Sequence, residues 1–285
     1  MATYSIAQTQ AFKTNLDEVY KLGLLSADLE GDNADIKEGA NAHEFKIPKL
    51  TLGGLYDYSR NNGYTKGNIT LAYESVALNY ERGTKLGLDI LDEAETGLGF
   101  SKVAAEFVRT AVVPEKDAFV FAEIASKSGI GSATGTLSSG ADAVSAIRTG
   151  ITAVENGEAV INNCILYITP TLMGLIDDLD TTKSRATINS FKKVVKVPQS
   201  RFYSVVTLGS GSYSKASTGV DINFLIVDPS AVVDYTSFYW GKIINPEDNQ
   251  ESDQYLMKFR VGSYVEVYDN KVAGIYCHKK AAAAA

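Results

Sequence analysis

The sequence predicts an α+β fold, and three observations indicate it. Two runs, 46–58 and 69–80, are rich in Thr, Tyr, Val, Ile and Leu and enclose a polar turn, which is typical of paired strands. Apolar residues then recur at spacings of three and four from about 97 to 112, which indicates an amphipathic helix. Between 140 and 236, helical patterns alternate with short apolar strands, so helices are expected to lie against a sheet.

The segment before the first strand is predicted to be an N-terminal arm with little core of its own. Residues 12–25 have the pattern of a short amphipathic helix, and the residues that follow are acidic and contain glycine. Asp28, Glu30 and Asp32 alternate as in a calcium loop, but a glycine stands at the fourth position instead of the sixth and no glutamate stands at the twelfth. The arm is therefore expected to be a solvated linker without a metal.

The two strand-like runs predict a long hairpin with a polar tip. Asn62-Gly63 and Gly67-Asn68 supply turn residues between the runs. A lone two-stranded hairpin is marginally stable in water, and its open edges invite pairing with other strands. Either the rest of the subunit or another subunit is therefore expected to cover it. The tip residues predicted to contact another subunit are Arg60, Asn62, Tyr64 and Lys66.

The helical stripe after the hairpin predicts a structural helix. Its apolar residues are Phe100, Val103, Ala104, Phe107, Val108 and Ala111. Pro114 is expected to end this helix and to begin a second one that Gly129 ends. The predicted core contacts are Phe100, Val103, Phe107 and Val108, and Phe107→Ala is expected to cost about 3 to 5 kcal/mol.

Motifs that carry chemistry are few, and none predicts catalysis. The Gly/Ser loop 126–140 resembles a dinucleotide fingerprint only superficially, because Thr134 replaces the last glycine and the loop follows a helix. The two cysteines, Cys164 and Cys277, are interpreted as small buried hydrophobic residues, and the two histidines, His43 and His278, belong to no ligand motif. No catalytic, cofactor-binding or metal-ligating residue is predicted, and an enzyme is not expected.

Charge is distributed unevenly along the chain. The net charge of −7 argues against a chain that wraps nucleic acid as a whole. The segment between Asp180 and Asp221 nevertheless holds seven basic residues and no acidic one, which leaves 20 basic against 34 acidic residues elsewhere. Three interpretations stay open: a solvated face, electrostatic complementarity between copies, and a weaker phosphate-binding surface. The basic residues singled out are Lys192, Lys193, Lys196 and Arg201.

The sequence has neither a membrane-spanning nor a secretory pattern. No apolar run approaches the roughly 18 residues that a spanning helix needs. The opening residues 1–15 lack a basic start followed by a hydrophobic block. The protein is therefore expected to be made and kept in a cytosol, without a membrane partner.

Two blocks of the sequence carry a family resemblance. The run 79–126, which contains "GLGFSKVAAEFVRTAVVPEKDAFVFAEIAS", and the closing segment 244–280, which contains "QYLMKFRVGSYVEVYDNKVAGIYCHKK", resemble the major capsid proteins of tailed bacteriophages. That family has the coat fold named for phage Hong Kong ninety-seven. The resemblance covers most of residues 40–280 in the order of elements.

The resemblance implies a domain organisation. It comprises an N-terminal arm at 1–45, an extended hairpin loop at 46–82, a peripheral domain with a long spine helix at 83–139, an axial domain at 140–236, a return to the peripheral domain at 237–280, and a tail at 281–285. In the family the extended loop lies over an adjacent subunit. The basic segment would then lie in the axial domain, near the centre of a capsomer.

The resemblance also implies partners and a location. Copies would assemble into pentamers and hexamers of an icosahedral head that encloses double-stranded DNA, first in the host bacterial cytoplasm and finally in the virion. Only about 40 residues precede the hairpin, so a separate scaffolding protein is expected, together with a portal and a decoration protein. Some relatives join a loop lysine to an asparagine of the next subunit, and Lys66 and Asn270 are the positions nominated for that cross-link.

Two other classes of protein are weighed against a phage coat. The same fold builds encapsulin compartments, whose shells would bind a cargo peptide instead of DNA. A β-rich surface adhesin is the third class, favoured only by the 16 tyrosines, which could line a ligand groove.

Overall fold

The computed structural model describes residues 23–30, 37–38, 44–61, 63–92, 100–179 and 181–281. Helices and strands contribute about equally, which confirms the predicted α+β class. The strands are β1 (Lys37–Glu38), β2 (Glu44–Leu52), β3 (Ile69–Ala77), β4 (Tyr80–Asp89), β5 (Gly131–Thr134), β6 (Ile165–Ile168), β7 (Lys193–Lys196), β8 (Val206–Leu208), β9 (Tyr213–Lys215), β10 (Ile222–Val227), β11 (Val232–Ile244), β12 (Gln254–Val267) and β13 (Ile275–Lys279). The helices are α1 (Phe100–Phe107), α2 (Val113–Ser126), α3 (Gly140–Asn156), α4 (Pro170–Leu179) and α5 (Thr182–Asn189).

The predicted hairpin is present as strands β2 and β3. They pair antiparallel from Glu44 opposite Ala77 to Leu52 opposite Ile69, and β1 adds a short third strand beside β2. Both strands are shorter than the sequence pattern suggested. The Gly53 amide donates to the Asn68 carbonyl at 2.7 Å, and the chain beyond that bond is a loop instead of a continued ladder.

The long helix does not end at Pro114, which corrects the sequence prediction. Helix α1 passes into a π-helical segment, Val108–Val112, and that segment passes directly into α2. A proline inside an α-helix lacks an amide donor, and its ring crowds the carbonyl four residues earlier. The wider π-helical turn before Pro114 relieves that conflict, so the chain stays helical through to Ser126.

Two layers of strands share one buried core with the long helix. A three-stranded sheet of order β11-β12-β4 packs on one side, and a five-stranded sheet of order β5-β13-β10-β6-β7 lies beyond the other side. Phe121 on α2 contacts Tyr167 of β6 and Phe202, with ring centroids 5.0 and 5.3 Å apart. Each buried aromatic side chain contributes about 1.5 to 3 kcal/mol of stability.

Helices α3 and α4 cover the outer face of the five-stranded sheet. Their apolar residues form a second buried cluster that includes Ile147, Leu166 and Ile226. Helix α3 begins at Ser139, whose hydroxyl accepts a hydrogen bond from the Asp142 amide at 3.2 Å and so caps the first turn. Helix α5 begins at Thr181 with a reciprocal capping box to Ser184.

The strand pairing shows which sheet the closing strand joins. Strand β13 pairs with β10 and with β5, so residues 275–279 complete the five-stranded sheet instead of returning to the three-stranded one. Strand β5 also joins that sheet, although it precedes residue 140. We therefore use two structural names: the peripheral sheet is β11-β12-β4, and the axial sheet is the five-stranded one.

Among the described residues, no helix has the length and the apolar composition that a membrane span requires.

Candidate assembly surface

The hairpin has one apolar face that stays exposed. Leu50 lies opposite Leu71, and Leu52 lies opposite Ile69, so their side chains lie on the same side of the ribbon. These four side chains and Tyr73 are between 43% and 74% exposed. Thr51 and Thr70, which also lie opposite each other, are on the other side. We call Leu50, Leu52, Ile69, Leu71 and Tyr73 the apolar hairpin face.

The hairpin tip adds further exposed aromatic residues. A short bridge pairs Ser59 with Gly63, whose φ of +74° is a turn conformation that glycine adopts without strain. The rings of Tyr58 and Tyr64 lie 4.9 Å apart, and Tyr64 is 92% exposed. Of the predicted tip contacts, Arg60, Tyr64 and Lys66 are exposed, and Asn62 lies outside the described residues.

The base of the hairpin is held firmly against the peripheral sheet. Ile47 packs with Val233 and Tyr264 in a small buried cluster, and the Phe45 ring meets the Tyr235 ring edge to face at 5.0 Å. The base is therefore fixed by ordinary core packing, while the outer half projects away from the subunit.

A network of ion pairs supports the same junction. Lys49 of the hairpin and Lys127 after α2 both bind the Asp269 carboxylate, at 2.9 and 2.8 Å. These two lysines lower the pKa of Asp269 to about 2, mainly through their hydrogen bonds. A cleft of about 320 Å³ lies beside this network. Its lining includes Leu50, Glu74 and Asn270.

Three consecutive charged residues near the start of α2 bind three different parts of the chain. Glu115 accepts from Arg82 of β4 at 2.6 Å, and Lys116 donates to Asp234 of β11 at 2.7 Å. Asp117 binds Arg201 at 2.8 Å. All three are buried. The helix therefore connects the peripheral sheet, the chain beside the axial sheet and the residues at 23–26.

The predicted basic segment is only partly a surface. Lys192, Lys193 and Lys196 are exposed, and Lys193 lies 2.5 Å from the Asp28 carboxylate. Arg201 is a correction, because it is 2% exposed and its guanidinium is engaged inside the subunit. It cannot contribute to a basic outer face.

The predicted helix contacts differ in burial. Phe100 is buried in the core and stacks on Tyr255, whereas Val103, Phe107 and Val108 are half-buried. Phe107 and Val108 pack against the edge of the core cluster. Phe121 of α2 is fully buried, so it is expected to stabilise the continuous helix more than the half-buried Phe107 does.

The two positions nominated for a cross-link lie at opposite ends of the hairpin. Lys66 is exposed near the tip, and Asn270 is exposed beside the hairpin base. Lys66 lies beyond the last pair of the ladder, Leu52 opposite Ile69, whereas Asn270 lines the cleft beside Leu50.

The buried cysteines have the character that the sequence predicted. Burial raises the pKa of the Cys164 and Cys277 thiols to about 12, so both stay protonated near neutral pH. Burial lowers the pKa of His278, which stacks on Phe224, and His43 lies outside the described residues. No cluster of three metal-ligating side chains occurs in the part of the chain that the structure describes.

Two features of the surface were missed by sequence reasoning. Strand β4 carries a period-two signal that could have predicted it, with Leu86 and Leu88 alternating with Lys85 and Gly87. The apolar hairpin face depends on which residues of β2 lie opposite which residues of β3. Alternation within a strand indicates which of its residues share a side, but it does not indicate which residues of β2 and β3 lie opposite each other.

Solved structures share this architecture, although no protein-family model matches the sequence and no curated protein resembles it significantly. The mature capsid of bacteriophage PhiM1 matches with a TM-score of 0.67 at 11% identity, over 94% of this chain and 90% of that chain. The capsid of cyanophage P-SCSP1u matches with a TM-score of 0.65 at 12% identity, over 96% of this chain and 94% of that chain. A virus-like particle from Pyrococcus furiosus matches with a TM-score of 0.54 at 11% identity, over 89% of this chain and 97% of that chain. The chain therefore has the α+β fold of phage major capsid proteins, as its two sequence blocks predicted.

Proposed function

We propose that this chain is the shell-forming coat protein of a tailed bacteriophage. In this proposal copies assemble into pentamers and hexamers that tile an icosahedral head around double-stranded DNA. The fold shared with the phage capsids supports a shell role. The observation within the chain that carries the proposal is the apolar hairpin face.

A subunit that acts alone would have little use for that face. Five large apolar side chains lie along a projecting ribbon, and the described residues of the same subunit leave them 43% to 74% exposed. Exposed apolar surface of this kind marks a site of protein contact or a risk of aggregation. Covering the ribbon with a neighbouring copy buries the face, and repetition of that contact tiles a surface.

The proposal is tested by changing one face of the ribbon at a time. Leu50→Asn with Leu71→Asn makes the apolar face polar, and Thr51→Asn with Thr70→Asn places the same residues on the opposite face as a matched control. Negative-stain microscopy and sedimentation should show closed particles for the wild type and the control. The leucine variant should give a folded subunit without particles. Normal particles from the leucine variant, or a wild type that stays monomeric both with and without a candidate scaffolding protein, would contradict the proposal.

Several finer points belong to the same proposal. The arm would comprise residues 1–45 and the extended loop residues 46–82. The peripheral domain would comprise 83–130 with 232–274, and the axial domain 131–231 with 275–280, as the strand pairing favours. A separate scaffolding protein, a portal and a decoration protein would act as partners. Assembly would take place in the host bacterial cytoplasm, and the mature protein would be found in the virion.

A cellular compartment is the second candidate function. The match to the virus-like particle from Pyrococcus furiosus favours it, although its TM-score is lower than that of the two phage capsids. Particles purified from the native source would separate the two functions. Packaged double-stranded DNA supports the phage coat, whereas an enclosed protein cargo supports the compartment.

A further inference from the structure

The outer face of the peripheral sheet carries three lysines in one row. Lys258 of β12 lies directly opposite Lys242 of β11 on one side and Lys85 of β4 on the other. Residues that are directly opposite in a sheet point to the same face. All three are exposed, so we call Lys85, Lys258 and Lys242 the lysine row.

Such a row is unfavourable unless anions compensate it. Like charges directly opposite each other destabilise a sheet, and strands lie only about 4.8 Å apart. Within the subunit one carboxylate is supplied: Glu251 binds Lys85 at 2.8 Å. Lys242 and Lys258 form no salt bridge with any residue that the structure describes. Lys258 also interacts with Glu251 through space, because its charge helps to lower the pKa of that carboxyl. Among the described residues one carboxylate therefore serves three lysines, and the row keeps a positive surplus.

The next cross-strand pair, Arg260 and Trp240, adds no further surplus of positive charge. Arg260 pairs with Glu81 on the same face and also lies over the Phe238 ring. Its charge is therefore already compensated. Trp240, opposite Arg260, is 47% exposed and lies two residues from Lys242 on the same face.

A complementary anionic loop adjoins the row, where strands β11 and β12 are connected. The loop between β11 and β12, residues 245–253, has four carboxylates and no basic residue, and we call it the acidic loop. Its carboxylates are Glu247, Asp248, Glu251 and Asp253, all exposed. The Asn249 side chain holds the loop by donating to the Gln254 carbonyl and by accepting from the Glu251 amide.

We propose that the lysine row of one copy binds the acidic loop of a neighbouring copy, with Glu247 and Asp248 facing Lys242 and Lys258. This inference rests on the proposed function, because it needs neighbouring copies. Glu251 shows in cis that a carboxylate of this loop fits the row. Only Glu251 is engaged there, and Glu247 and Asp248 form no salt bridge with a described residue. The charges left over on the loop and on the row are therefore complementary.

The contact is heterologous when the loop of each copy binds the row of the next copy and the pattern repeats in one direction. Such a contact closes into a ring when successive copies are related by a rotation, as at a symmetry axis of a shell. Electrostatic complementarity of this kind fixes register and orientation more than it adds affinity. The apolar hairpin face would then supply most of the association energy, and the lysine row would specify how the copies align.

Nucleic acid is a poorer occupant of this surface. The row spans three strands, or about 10 Å, and DNA binding calls for a broad basic surface. Glu81 lies on one side of the row and the acidic loop on the other. A duplex lying along the row would bring many phosphates against these carboxylates, whereas a neighbour's loop brings only Glu247 and Asp248 onto the row.

A charge-swap experiment tests the proposal with the full-length chain. Lys242→Glu with Lys258→Glu, and separately Glu247→Lys with Asp248→Lys, should each lower the yield of closed particles by at least about tenfold, because like charges then meet across the contact. The four substitutions together should restore particles. Lys242→Arg with Lys258→Arg is the matched control and should assemble normally. Normal assembly of either reversed variant, or a folded four-substitution variant without particles, would overturn the proposal.

A fluorescence measurement remains decisive if a reversed variant does not fold. Trp240 is the only tryptophan of the chain and lies beside the row. We expect a synthetic peptide of residues 245–253 to change its emission in a saturable manner, with wild-type protein held below its assembly concentration. The same peptide with Asn and Gln in place of Asp and Glu should have no effect. An equal response to both peptides, no response, or a response only to a short DNA duplex would refute the assignment.

The two proposals fail in different ways. Normal shells from the lysine-reversed variant would contradict the row-to-loop contact and leave the coat function standing. A wild type that forms no shells, with or without a candidate scaffolding protein, would contradict the coat function. The peptide measurement would still report whether the row binds carboxylates.

Discussion

The carboxylate of Asp117 and the guanidinium of Arg201 form an ion pair 2.8 Å apart, and both side chains are almost completely buried. Asp117 also accepts hydrogen bonds from the Ser26 amide and hydroxyl and from the Leu25 amide. Burial raises the pKa of Asp117, and these donors oppose that shift by stabilising the carboxylate. One side chain thereby holds together helix α2, the turn Gln199–Arg201 and the residues at 23–26.

Removing that carboxylate should strongly destabilise the subunit. Asp117→Asn leaves the Arg201 guanidinium buried without its counter-ion, so we expect a loss of about 3 to 5 kcal/mol in the free energy of unfolding. Chemical denaturation of the unassembled subunit measures it. Lys193→Gln is the matched control because it removes an exposed ion pair to Asp28, which also lies near the start of the described chain. The control should cost less than about 1 kcal/mol. Equal losses for both variants would show that burial of the pair is unimportant.

The half-burial of Phe107 lowers the effect expected for its removal. The sequence predicted about 3 to 5 kcal/mol for Phe107→Ala, a range that applies to fully buried phenylalanine. With part of its ring at the surface, Phe107→Ala should cost about 1.5 to 2.5 kcal/mol. Phe121→Ala, from a fully buried ring, should reach the higher range. The same denaturation experiment ranks the two variants, and a larger loss at Phe107 would show that its burial is misplaced.

The hairpin tip should be needed for shells and not for folding. Those of its residues that the structure describes pack against no core cluster, so deletion of residues 59–68 should leave the thermal unfolding of the subunit nearly unchanged. Closed particles should be absent, because the deletion removes Tyr64 and part of the projecting surface. Electron microscopy and calorimetry of the same preparation check both halves. Normal particles would mean that the tip makes no contact between copies.

Asp269 should titrate at unusually low pH. Its folded-state pKa, about 2, lies below the unfolded value, so its contribution to stability is present above the unfolded pKa and is lost as the pH falls through about 2. The carboxyl carbon shift of Asp269 should therefore change little between pH 7 and pH 4. Lys127→Met should raise the midpoint more than Lys193→Met, since Lys127 binds Asp269 and Lys193 binds Asp28. A midpoint near 4 in the wild type would show that the junction is open.

The two thiols should resist alkylation while the subunit is folded. Burial raises the pKa of Cys164 and Cys277 to about 12, so little thiolate forms at pH 8 and reagents have little access to it. Mass spectrometry after iodoacetamide treatment should find both cysteines unmodified in native buffer and modified in denaturant. Rapid native modification of Cys277 would place β13 at the surface.

Local sequence patterns were sufficient for the elements whose partners are near in sequence. The hairpin could be predicted because its two strands and its turn lie within about 40 residues, and alternation with turn residues is a local signal. The amphipathic stripe around Phe100 and Phe107 was equally local. The π-helical segment was not predictable in this way, because Pro114 ordinarily ends a helix, and only the surrounding packing keeps the chain helical through it.

By itself, the sequence determined the α+β class, the hairpin, the amphipathic stripe around Phe100 and Phe107 and the buried cysteines, since each follows from periodicity or composition over a short window. Only the tertiary structure decided that Arg201 lies inside, that β13 completes the axial sheet, and that Lys85, Lys242 and Lys258 form one row. Lys85 and Lys258 are more than 150 residues apart in sequence, and their adjacency depends on the register of two long strands. That register is set by burial of the opposite face of the sheet, where Leu86 lies beside Met257 against the core.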